Sequence, residues 1–219
     1  MQPAPLPRRF AIANCLSVFC FWAAVSFWLT GCTSGTPHTS IRQLKSGDII
    51  FQQSLSDQSH ALALATGSTY THMGVVLVVN GKYLVFEATK TVRLTPLEAW
   101  IKQGKYGRYS VKRLKKDTQL TPAQEAKAKS FVSDNLGKNY DSYFNWSDNT
   151  MYCSELIWKM YKHVGNIELC KTRKLSDFNL NHSVVSKKLK ERYGSAIPIN
   201  ETVVAPSDIY MSPLLTDLP

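Results

Sequence analysis

Cys153, His72 and Glu87 are the side chains of this 219-residue chain whose chemistry combines: a thiol, a base to take its proton, and a carboxylate to orient the base. Acyl transfer through a covalent thioester needs these three roles. Cys153 stands out by its position. Leu156, Ile157, Met160, Tyr161 and Val164 keep helical spacing as far as Gly165, so a helix opens at Cys153 or Ser154. A thiolate in the first turn of a helix is favoured by exposed backbone N–H groups and the positive dipole end. Two competing readings stand beside this one: a buried inert thiol, the common state of a free cysteine, and a Cys153–Cys170 disulfide.

The elements that carry His72 and Glu87 form a hairpin. Met73 to Val79 and Tyr83 to Ala88 read as apolar strands, and Asn80-Gly81 between them is a strong two-residue turn signal. With that loop Val79 faces Lys82, so His72 faces Thr89 and Glu87 lies diagonally from His72 on the same face. Such a diagonal spans about 7–8 Å between backbones, within reach of long side chains. Glu87 then holds one ring nitrogen while the other points outward. On spacing alone the alternative is that His72 merely ends a strand and Glu87 faces solvent.

Along the rest of the chain, Gly47-Asp48 is a turn feeding a buried strand, with Asp48 satisfying local backbone donors. Thr95-Pro96-Leu97-Glu98 reads as a capping box with proline at the first helical position, and Thr121-Pro122-Ala123-Gln124 repeats the pattern for a helix running toward Gly137. Tyr109 to Leu114 and Thr202 to Ala205 read as strands. The stretch from Arg173 to Gly194 is mixed and basic. Antiparallel strands beside a few helices make the fold class α+β. Trp100, Tyr106 and Tyr109 are candidates to line a cleft. His60, His163 and His182 show no ligand spacing, and thiol acyl transfer needs no metal and no organic cofactor.

The ordered stretches LKSGDIIFQ (44–52), ATGSTYTHMGVV (65–76), VFEAT (85–89), TPLEAW (95–100), GKNYDSYF (137–144) and YCSELIW (152–158) resemble the permuted papain-fold cysteine hydrolases of the NlpC peptidase superfamily, in the YiiX/YebB-like group. The resemblance implies a circularly permuted papain-like fold, an antiparallel sheet packed against the helix that bears the nucleophile. It also implies that His72 and Cys153 are the catalytic pair and Glu87 the third polar member. Tyr140 and the backbone N–H of Cys153 become oxyanion candidates. The implied substrate is a cell-envelope peptide amide, with a lipid ester or amide as the alternative. A non-catalytic envelope-binding lipoprotein is the competing class, and it would tolerate loss or pairing of Cys153.

The first 31 residues read as an address. Arg8-Arg9 precede an uncharged run from Phe10 to Leu29, followed by Leu29-Thr30-Gly31-Cys32, which resembles the bacterial lipobox. The expectations are a lipoprotein signal at 1–31, lipidation of Cys32, a tether over 32–41 and a hydrolase domain over 42–219. An uncleaved membrane anchor is the alternative, since the run is long enough to cross a bilayer. Thr33 after the cysteine, rather than Asp, resembles the signal for the outer membrane, facing the periplasm, in a two-membrane bacterium. The formal charge of +10 belongs almost wholly to the domain, because Arg8 and Arg9 are the only charged residues before Cys32. Basic clusters at Lys112, Arg113, Lys115 and Lys116, and at Lys187, Lys188, Lys190 and Arg192, lack the interleaved aromatics of a single-strand groove, so no nucleic-acid partner is expected.

Overall fold

A computed structural model describes residues 41–115 and 120–218. The signal, Cys32 and all of the tether but Ile41 lie outside the described residues. Six strands form one sheet in the order β4-β3-β2-β1-β5-β8, every neighbouring pair antiparallel. They are β1 (Ile49–Ser54), β2 (His72–Val79), β3 (Lys82–Ala88), β4 (Val92–Pro96), β5 (Gly104–Leu114) and β8 (Leu215–Asp217); β6 (Arg173–Lys174) and β7 (Thr202–Val203) make a separate short pair. The helices are α1 (Asp57–Thr66), α2 (Leu97–Gln103), α3 (Pro122–Asn135), α4 (Cys153–Gly165), α5 (Ser183–Tyr193) and α6 (Pro206–Tyr210). This is the α+β arrangement the sequence implies.

Alternation along the strands builds two cores. Ile49, Phe51, Met73, Val75 and Phe86 pack with Leu156, Ile157 and Met160 of α4. Ile50, Val76, Val85 and Val111 pack with Leu97 and Trp100 of α2. Because successive strand residues point to opposite faces, β1 and β2 supply both layers, and α4 lies against the strand that carries His72. The β2–β3 turn places Asn80 at φ 50° and Gly81 at φ 73°, the left-handed pair that a two-residue hairpin requires. Val79 pairs with Lys82 and Val78 with Tyr83, the register expected from the turn.

The box at Thr121 forms as expected, with reciprocal bonds to Gln124. The one at Thr95 does not. Thr95 ends β4, the N-cap of α2 is Pro96, and no side chain caps that helix. The alternation of Val92 and Leu94 with Arg93 and Thr95 pairs with β3 instead, and the Thr95 hydroxyl goes to Glu87. Three helices, α1, α5 and the short α6, stand where the sequence reading places none.

Asp48 is structural, as expected. It is 1% exposed and accepts from Arg113 Nε at 2.6 Å, Arg113 Nη2 at 2.8 Å and the Lys45 backbone at 2.7 Å. Lys112 pairs with Asp217, so part of the first basic cluster is committed to carboxylates. Removing the guanidinium strands a buried carboxylate. Arg113→Met is expected to lose about 3 kcal/mol in urea unfolding, and adding Asp48→Asn should recover part of it. Equal stability of Arg113→Met and wild type would refute this account of the ion pair.

Candidate active site

Two site residues open their elements. His72 is the first residue of β2 and Cys153 the first of α4. Both are buried, His72 to 9% exposure and Cys153 to 4%. Glu155, at the third position of α4, accepts from the Tyr152 backbone N–H, which fixes the helix start around the thiol. The first N–H groups of a helix have no intrahelical acceptor, so the Cys153 N–H is available to a substrate oxygen.

The assumed diagonal closes. His72 Nε2 and Glu87 Oε2 are 2.6 Å apart, and Glu87 is fully buried. The other carboxylate oxygen accepts from Thr95 Oγ1 at 2.5 Å and from Arg93 Nε at 3.1 Å. Burial alone would raise the Glu87 pKa, yet these bonds and the Arg93 charge hold it below the usual carboxylate range. With Nε2 committed to Glu87, Nδ1 is the nitrogen left for the Cys153 thiol. Burial acts to lower the His72 pKa, but the hydrogen bonds to Cys153 and Glu87 and the attraction of both groups outweigh it, raising it to about 9. The ring also stacks against Trp100, centroids 5.9 Å apart. Between His72 and the core strand, Gly74 leaves no room for a side chain: a Cβ there would lie 2.4 Å from Val85 Cγ1 and 2.7 Å from the Phe86 carbonyl.

Cys153 and Cys170 are free, so the bridge is absent from this structure. Burial pushes the Cys170 thiol up to about 12, and its carbonyl accepts from Trp158. Tyr140 is held by its backbone N–H on the Lys90 carbonyl and by a bridge to Met151, two residues before Cys153. It lines the same cavity as Cys153. Trp100 is buried in the core and Tyr106 is 81% exposed, so neither lines that cavity. The cavity, about 100 Å³, is walled by Ala61, Leu62, Ala65, Phe178, Val185 and Leu189, with Lys188 and Arg192 also on its lining.

A buried thiol, an imidazole shared between it and a carboxylate, and free N–H groups at a helix start are equipped for acyl transfer. A profile of the family described as permuted papain-like amidase enzyme, YaeF/YiiX, C92 family, matches residues 43–218. The chain belongs to this family. It is therefore a papain-like cysteine hydrolase of the amidase type. The uncharacterized protein YiiX of Escherichia coli strain K12 is 44% identical over 174 residues, covering 80% of this chain and 85% of that protein. A crystal structure of YiiX from Escherichia coli O157:H7 superposes with a TM-score of 0.77 at 44% identity, covering 81% of this chain and 97% of that one. That YiiX is described as a metalloprotein. Among the described residues here no group of three or more His, Cys, Asp or Glu side chains is placed to hold a metal ion.

Thr95 and Arg93 are the contributors that sequence reasoning missed. The signal was the alternation in Val92-Arg-Leu-Thr, masked by the helix-start pattern that follows it. Gln58 and Arg192, which also line the cavity, had no local signal.

Proposed function

We propose that this protein is a lipid-anchored envelope hydrolase in which Cys153, His72 and Glu87 cleave an amide bond through an acyl-enzyme. The observation that carries the reading is the His72 ring, bonded to Glu87 at 2.6 Å on one side, with the Cys153 thiol near enough to raise its pKa. In this mechanism the Cys153 proton passes to His72, and sulfur attacks the carbonyl carbon. The Cys153 N–H and Tyr140 hydroxyl stabilise the oxyanion. The C–N bond breaks, His72 returns the proton to the departing amine, and a thioester remains on Cys153. Water, deprotonated by His72, then releases the acid and restores the thiol.

A peptide of the cell envelope is the primary substrate class, and lipidation of Cys32 would hold the enzyme beside it, on the periplasmic side of an outer membrane. The apolar cavity at Cys153 favours a second reading, a lipid ester or amide. An alkyl chain needs no hydrogen-bond partners, whereas peptide groups buried against those walls would lack them. The test is to incubate the full chain with muropeptides and, separately, with phospholipid vesicles, then measure the mass of the Cys153-containing peptide. A hydroxylamine-labile peptide adduct supports the first substrate class and a fatty-acyl adduct the second. No adduct from either would sink the acyl-enzyme reading.

A further inference from the structure

The lining of the cavity that holds Cys153 and Tyr140 also carries Gln58 and Arg192, which the proposed chemistry leaves unused. Gln58 of α1 donates from Nε2 to the Tyr140 hydroxyl at 3.0 Å. Arg192 of α5 donates from Nη2 to Gln58 Oε1 at 2.9 Å, with its guanidinium stacked 4.7 Å from the Phe144 ring centroid. The direction of these bonds is forced. A guanidinium has donors and no acceptor, so the Gln58 oxygen must face Arg192. The Gln58 NH2 must then face Tyr140, and an NH2 only donates. The Tyr140 oxygen is therefore an acceptor in this bond, and its own O–H must be spent elsewhere. Among the described residues no acceptor takes it, and Tyr140 lines the cavity together with Cys153.

We propose that Gln58 and Arg192 are positioning residues that commit the Tyr140 hydroxyl to donate to the oxyanion formed at Cys153. The inference rests on the acyl-enzyme reading above and adds what presets its oxyanion donor. A tyrosine free to rotate would divide its time between donating to a neighbour and donating to substrate. Here the neighbour can accept nothing, so the donor is arranged before the reaction begins, the condition under which oxyanion stabilisation is strongest.

The decisive variant is Gln58→Glu, which keeps the size and the Arg192 contact but offers Tyr140 an acceptor. Tyr140 then donates to the carboxylate and is withdrawn from the oxyanion. Two rates are compared on the full chain: acylation of Cys153 by p-nitrophenyl acetate, which passes through an oxyanion, and alkylation by iodoacetamide, a displacement at carbon that forms none. Any effect on folding or on the thiol itself moves both. Gln58→Glu is expected to lower acylation relative to alkylation by about 10²-fold, and Tyr140→Phe by a similar factor. Arg192→Met, which frees the Gln58 amide to turn over, should give a smaller loss in the same ratio.

In a Tyr140→Phe background Gln58→Glu should lower the ratio no further, since the donor it acts through is gone. An unchanged ratio in Gln58→Glu, or a full additional loss in the Tyr140→Phe background, overturns the relay. Wild-type protein that alkylates but is never acylated overturns the acyl-enzyme reading, and the relay with it.

Discussion

His72→Ala is expected to lower Cys153 acylation by p-nitrophenyl acetate at pH 7 by about 10²–10⁴-fold, the range for losing a positioned acid–base group. Alkylation by iodoacetamide should fall with it, because the ring acts on the thiol itself and not on the oxyanion. The same variant has a signature in stability. In the folded protein His72 is raised to about 9 from an ordinary 6.5. A raised folded value means that the fold favours the protonated ring. That contribution is therefore fully present below about pH 6.5 and is lost as pH rises through about 9. Urea unfolding at pH 6 and at pH 9.5 should show wild type losing stability over this interval relative to His72→Ala. Parallel stabilities at the two pH values, or an acylation rate within a few-fold of wild type, would remove His72 from the role of base.

Local signals made much of this site legible. Asn80-Gly81 sets the hairpin register, and the register alone puts Glu87 within reach of His72. Helical spacing placed Cys153 at the start of α4, where it is found. What stayed hidden depends on contacts distant in sequence or on ambiguous patterns. Asp57–Thr66 is almost without amphipathicity: Ala61 to Ala65 is an unbroken run of small and apolar residues, and it becomes α1 by packing against α5. In α5, Val185 and Leu189 are the only buried residues amid lysines, too thin a stripe to stand out. Gln58 and Tyr140 are separated by 82 positions, and Gln58 and Arg192 by 134. No spacing rule joins such residues; the fold has to bring them together. Thr95 illustrates the remaining kind of miss, in which two valid local patterns compete. Its cap-like sequence lost to strand pairing because a buried carboxylate on β3 needed its hydroxyl.

That carboxylate is the most exacting group in the site. Glu87 accepts from His72, Thr95 and Arg93, and each of the three presents a donor. Glu87→Gln keeps the volume but replaces one acceptor oxygen with an NH2. If the amide oxygen stays with Thr95 and Arg93, the NH2 faces His72, whose Nε2 must then accept. The ring proton is forced onto Nδ1, the nitrogen that has to take the proton from the thiol. If the amide turns over, Thr95 and Arg93 face a donor in a buried site, at a cost of about 1–3 kcal/mol. Both outcomes are unfavourable, so acylation should fall by about 10²–10⁴-fold even where the fold survives.

The pH dependence runs opposite to that of His72. A depressed carboxylate stabilises the fold above its ordinary value of 4.5, and that contribution fades as pH falls below it. Wild type should therefore lose stability in acid relative to Glu87→Gln, while the two change together from pH 5 to 6. Acylation by Glu87→Gln within threefold of wild type would show that the carboxylate leaves the ring unoriented. Acid unfolding that is the same in both proteins would mean that its bonds contribute nothing to holding β3 and β4 against β2.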